Sequence, residues 1–265
     1  MSNLIKWWQT IKISIIKYTA YRLNFFLQII GPALVFLFIK YNLWVAIFDS
    51  TGTETIKGYT LSAMLTYHVW AFIVSQLAQG HTALNLALDI RMGRISTYLI
   101  YPFNFWEFHT ASFLGFQMIQ LCVTVFAIIF FSIVGVLPST DIMTLLNGIG
   151  VCLFVSLFWF SLQYLTGVMA FWLEETWILR VMLQMVTVFL SGAIIPLELY
   201  PDFFREILMY TPFPYLTYYP IKVFMGETIS YTTFFSVLGP WLLVICSICS
   251  ITWKRGIRLY TAAGM

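Results

Sequence analysis

Long apolar runs alternate with short polar clusters along the chain, and the gaps between charged residues delimit them. Six runs reach the length at which a helix crosses a bilayer, about 20 mostly apolar residues: residues 23–48, 58–84, 106–136, 142–173, 177–196 and 231–253. Backbone groups in lipid must bond internally, so the runs predict helices rather than isolated strands. Ahead of them, residues 3–18 have a helical period. Leu4, Trp7, Trp8, Ile11, Ile15 and Tyr18 share one side; Asn3, Lys6, Thr10, Ser14 and Lys17 share the other. That pattern predicts an amphipathic helix in the membrane interface, spanning with its flanks residues 1–22. Between the fifth and sixth runs, residues 196–227 carry five prolines, which break continuous helix, yet are too aromatic for a solvated loop. Short re-entrant helices at the outer mouth fit both properties, with Pro196, Pro201, Pro212, Pro214 and Gly226 as the punctuation.

Composition agrees with this all-α integral membrane reading. Of 265 residues, 60% are hydrophobic and 9% charged, where a soluble domain carries about 25% charge; the mean hydropathy is +0.86. Ten Lys and Arg fall on one set of connections (Lys6, Lys12, Lys17, Arg22, Arg91, Arg94, Arg180, Lys254, Arg255 and Arg258) and three on the other (Lys57, Arg205 and Lys222). The bias places both termini in the cytoplasm, and six crossings return the chain to its starting side. The first residues lack the apolar core and cleavage site of a signal peptide. Residues 1–265 thus form a single membrane domain without internal repeat or soluble module.

The groups an enzyme would need are sparse. Gly is never followed by Lys, which excludes the phosphate-binding GxxxxGK[ST] loop, and HExxH, GxSxG and any metal-ligand spacing of His and carboxylates are absent. Cys122, Cys152, Cys246 and Cys249 lie in apolar runs, where thiols pack as small hydrophobes. His68, His81 and His109 are scattered, and Glu174 and Glu175 sit together on a cytoplasmic turn. No metal or cofactor is therefore expected on this chain, nor nucleic acid as a partner.

Polar residues within spans face bundle interiors. His68, Phe72, Ser75 and Gln79 form one stripe on the second span; Ser156, Phe160, Gln163 and Gly167 form another on the fourth; Gln184, Thr187 and Ser191 form a third on the fifth. They fit either a substrate path or interhelical hydrogen-bond glue. The second and fifth stripes, mixing polar with aromatic or small groups and lacking fixed charge, suit an amphipathic or aromatic substrate better than a bare ion. Lys40 lies about 26 Å along the first span at 1.5 Å per residue, which reads as an anchor reaching the outer headgroups. On the cytoplasmic side, residues 85–105 hold a short helix with Leu84, Leu88, Met92, Ile95 and Leu99 as an apolar stripe. Asp89, Arg91 and Arg94 lie off that stripe and Gly93 interrupts it. A surface loop and a docking element both satisfy this pattern.

Three passages resemble the permease subunits of type-2 ATP-binding-cassette exporters, in the six-span branch that includes viologen and multidrug exporters. They are YRLNFFLQIIGPALVFLFIKYNLW, RMGRISTYLIYPFN, and LSGAIIPLELYPDFFREILMYTPFPYLTYYPIKVFMG. The resemblance implies a coupling helix at Asp89, Arg91, Gly93 and Arg94 that docks on a separate ATPase subunit. ATP and Mg would sit on that partner, and this chain would not be an enzyme by itself. It implies an outer cap from Pro196 to Gly226, a second permease chain (homodimer or sister), and the plasma (inner) membrane as location. The expected cargo is an amphipathic or aromatic, cationic small molecule, drug or peptide moved outward. A lipid-acting membrane enzyme using the histidines and an ion-coupled secondary transporter are the competing classes; the second expects intramembrane carboxylates and paired repeats, which the spans do not offer.

Overall fold

The computed structural model describes residues 3–20, 22–82, 84–100, 104–227 and 229–260. Their regular elements are helices, the α-helices in the order α1 (Asn3–Thr19), α2 (Arg22–Thr51), α3 (Leu61–Gln79), α4 (Leu84–Arg91), α5 (Ile95–Ile100), α6 (Phe105–Ile133), α7 (Ile142–Val168), α8 (Trp177–Leu190), α9 (Asp202–Leu208), α10 (Phe213–Leu216), α11 (Tyr218–Phe224) and α12 (Tyr231–Leu259). Four helices among the described residues are long and apolar enough to cross a membrane: α3, α6, α7 extended by a 3-10 turn to Phe171, and α12. The chain is thus a multi-pass membrane protein.

Helix ends follow local chemistry. Thr60 caps α3, its hydroxyl accepting from the Ala63 amide, and Asp141 caps α7 by accepting from Met143. Glu107 accepts from the Asn104 amide at the start of α6. At the other end of the chain, α12 continues past the expected stop at residue 253 through Lys254, Arg255 and Arg258, cations being favoured at a helix C-terminus. The fifth run departs from expectation in the other direction: α8 has 14 residues, about 21 Å at 1.5 Å per residue. Residues 191–195 leave the helix because their carbonyls bond elsewhere. Ser191 accepts from the Tyr218 amide and Gly192 from the Tyr67 hydroxyl at 2.7 Å.

α3 is the central helix, packed against α2, α6, α7 and α11. Met64, Tyr67, Trp70, Ile73, Val74 and Leu77 are closed off from solvent on several sides of it, as befits a helix that is apolar all round. α11 runs along it: the Phe224 ring stacks on Trp70 at 4.4 Å between centroids. Phe224 also fills the space over Gly148 of α7, where any Cβ would intrude on the ring. α7 therefore approaches the α3–α11 pair as closely as a backbone can.

α1 packs on α6 rather than lying apart from the bundle. Ile11 and Ser14 are buried there, and the Ser14 hydroxyl donates to Ser112 at 3.1 Å. Ser14, expected on the polar side, thus faces protein, while Leu4, Trp8, Ile13 and Ile16 are exposed.

Candidate functional site

The segment expected to couple folds as two short helices, α4 and α5, joined by a turn at Gly93. Gly93 has φ +67°, a conformation that costs a residue with a Cβ about 1–2 kcal/mol. The break resets the helical phase, so the stripe drawn through one continuous helix does not persist. Ile95 is buried, but Met92 is 61% exposed, and the side chains of Leu84 and Leu99 lie outside the described residues. The buried face of α4 is instead Leu86, Ala87, Asp89 and Ile90.

The four residues expected to dock divide into two kinds. Asp89 is 8% exposed and turned inward. Its carboxylate accepts from the Tyr98 hydroxyl at 3.0 Å and from Arg94 Nη1 at 3.4 Å, and His109 Nε2 of α6 lies 3.6 Å away. The Asp89 carbonyl also accepts from the Arg94 amide, so one residue clamps both sides of the turn. Arg91 and Arg94 are exposed. Arg91 pairs with Glu175 of the α7–α8 connection at 3.0 Å; being half-exposed, the pair contributes at most about 1 kcal/mol. Tyr260, just beyond α12, donates its hydroxyl to the Gly93 carbonyl at 2.6 Å. The α7–α8 connection and the residue after α12, distant in sequence, thereby converge on one turn. Between them lies a groove of about 620 Å³, lined among others by Met92, Gly93, Phe171, Trp172 and Tyr260.

The stripes within the spans are mostly engaged inside this one chain. His68 accepts from the Trp44 indole N–H of α2 at 2.6 Å and stacks on that ring. Ser75 donates to the Phe72 carbonyl of its own helix. Gln79 donates to the Leu216 carbonyl at 3.0 Å and to the Thr217 hydroxyl at 2.8 Å. On α7, Ser156 returns to the Leu153 carbonyl and Phe160 stacks on Phe113 at 4.5 Å. Thr187 of α8 and Ser191, which caps its end, are fully buried, while Gln184 is exposed among Val181, Met182, Met185 and Val186. The fifth-span residues are therefore not brought together on one surface.

On the opposite face, Lys222 of α11 is the centre of a polar knot. Its ammonium, on a side chain 6% exposed, contacts Glu198 at 2.8 Å and Glu227 at 2.6 Å. The Tyr59 and Tyr218 rings lie beneath it at 5.0 and 5.5 Å, within cation–π range, and Tyr218 donates to Glu198 at 2.7 Å. Burial opposes the ammonium charge, but the carboxylate hydrogen bonds outweigh it and hold the Lys222 pKa above its ordinary value. Of the expected cap residues, Pro196, Pro212 and Pro214 are buried, and Pro201 and Gly226 are exposed. Lys40 is buried too, its ammonium donating to the Ile194 carbonyl at 2.6 Å; the expected headgroup anchor is turned onto the chain itself.

Sequence reasoning passed over Tyr98, Tyr260, Glu198 and Glu227, whose partners lie up to 167 residues away. One signal was available for the knot: Lys222 follows a run of aromatic residues from Tyr210 to Tyr219 that carries no other charge, and a buried ammonium demands partners.

A comparison with the curated proteins finds no match. Residues 34–264 match the family model described as ABC-2 family transporter protein. That segment takes in α3 to α12, the Gly93 turn and the Lys222 knot, and on that match this multi-pass chain belongs to the ABC-2 family of transporter proteins, as a membrane component.

Proposed function

We propose that the chain is the membrane-spanning permease subunit of an ATP-driven exporter, of the viologen and multidrug type, that moves an amphipathic or aromatic, cationic molecule, drug or peptide outward. Membership of the family implies association with an ABC ATPase, and ATP and Mg are assigned to that partner. In this reading α2 and α8 supply two further crossings, making six, with both termini in the cytoplasm of a plasma (inner) membrane. The segment from Pro196 to Gly226 forms the outer cap.

The observation that carries the reading is the convergence at Gly93. Exposed Met92, Arg91 and Arg94 project from a turn that is clamped from inside by Asp89 and tied to α12 by Tyr260. A push on such a turn moves the α7–α8 connection and the end of α12 with it, as rigid-body switching requires. Asp89 is then a positioning residue, and Arg91 and Arg94 meet the ATPase. The buried second-span stripe braces α3. The path itself is placed where two permease chains meet, alongside α8, whose apolar surface and Gln184 are exposed.

The test is co-purification followed by charge reversal. A soluble ATPase should elute with the chain, and Arg91→Glu with Arg94→Glu should abolish substrate-stimulated ATPase activity while leaving the permease in the membrane. Normal stimulation in the double variant, or transport by the chain alone without ATP, overturns the reading.

A further inference from the structure

We propose that a cavity between the N-terminal helix and the coupling segment binds the phosphate headgroup of an anionic membrane lipid. The cavity holds about 300 Å³ and is walled by α1, by α4 and α5, by α6 and by the α3–α4 connection. That volume is at the lower end for small-molecule sites, sufficient for a headgroup.

Its charges are unbalanced. Lys17 and Arg94 face it with a single carboxylate, Asp89, among the described residues. Asp89 is already taken by Tyr98 and Arg94, and Lys17 forms no ion pair among the described residues. His81, enclosed by three phenyl rings, is neutral, burial lowering its pKa to about 4. One positive charge is left over, which a phosphodiester cancels.

A second observation points to a ligand. His109 lines the cavity and is 7% exposed, and its Nε2 has no hydrogen-bond partner among the described residues. The 3.6 Å to Asp89 exceeds hydrogen-bond range, and buried polar atoms without partners are rare in folded proteins. An acceptor in the cavity would satisfy it.

The apolar rim separates a lipid from free phosphate. Ile13 lines the cavity yet is 64% exposed, and Ile16, Leu4 and Trp8 extend the exposed apolar side of α1. A helix bearing Trp and Lys in this arrangement lies in the membrane interface. The occupant therefore needs one negative charge at one end and hydrocarbon at the other, which phosphatidylglycerol provides. Phosphatidylcholine brings an ammonium into a site that already has one too many.

The test uses the full chain in mild detergent, delipidated, with native mass spectrometry after addition of phosphatidylglycerol or phosphatidylcholine. One phosphatidylglycerol should be retained under activation that strips phosphatidylcholine, and Lys17→Gln, an exposed position that leaves the fold intact, should lower retention about tenfold. His109→Phe should lower it as well. Equal retention of the two lipids, or retention unaffected by Lys17→Gln, overturns the proposal. So does stabilisation by inorganic phosphate with no lipid retained, which assigns the cavity to a free anion. The measurement needs no ATPase and is independent of the exporter reading.

Discussion

The Tyr260 hydroxyl donates to the Gly93 carbonyl at 2.6 Å, joining the residue after the last long helix to the turn that separates α4 from α5. A neutral hydrogen bond of this kind contributes about 1 kcal/mol, small for folding but placed at the turn that the proposed exporter uses to pass on motion. Tyr260→Phe should leave the amount of protein in the membrane unchanged and reduce ATP-driven transport by the assembled complex several-fold. Transport assays in vesicles, normalised to permease content, measure the effect.

Gly93→Ala places a Cβ on a residue at φ +67°. The strain is about 1–2 kcal/mol, and for a chain of this size each kcal/mol moves Tm by about 2–4 °C. A melting temperature lowered by several degrees in detergent is expected, whereas Met92→Ala, at an exposed position on the same turn, should leave it unchanged.

Gly148→Ala forces a methyl group into the Phe224 ring. Overpacking of this sort costs about 1–3 kcal/mol. Adding Phe224→Leu should recover part of the loss, since a smaller side chain vacates the space; strict additivity of the two changes in thermal unfolding would show that the ring is not the obstacle.

Lys222→Met strands Glu198 and Glu227 around an apolar group. Removing one partner of a buried pair costs about 3–5 kcal/mol, so the single variant should be far less stable than Lys222→Met combined with Glu198→Gln. The knot also sets a pH window. Burial raises the Glu198 pKa, but hydrogen bonds from Lys222 and Tyr218 prevail and leave it below its ordinary 4.5. Stability from Glu198 is thus present above about 4.5 and lost as pH falls through the lowered value. Lys222 has the opposite sign: its contribution is complete below 10.5 and lost above its raised pKa. Unfolding followed across pH should show a plateau between these limits, with the acid edge displaced in Glu198→Gln.

The spans α3, α6, α7 and α12 were legible because their only requirement is a charge-free run of sufficient length. Where they end was less so. Gln79 and Ser191 stop their helices against Thr217 and Tyr218, and no local pattern announces partners that distant. Asp89 illustrates the same limit beside the Gly93 turn. In sequence it is an acid off an apolar stripe; in space it is enclosed, because Gly93 breaks the helix and swings Tyr98 back toward it. Lys222 counted in sequence only as one positive charge on the outer side, while its carboxylates come from both flanks of the segment.

Gln79 is the last residue of α3, and its amide holds Leu216 and Thr217 at the junction of α10 and α11. Only four residues separate it from Leu84, where α4 begins. The α10–α11 junction of the proline-rich segment is therefore pinned to the same short stretch of chain that leads into the Gly93 turn. If the chain works as the proposed exporter, opening the outside and gripping the inside need no long relay of side chains; they are two ends of one lever whose fulcrum is the Gln79 carboxamide.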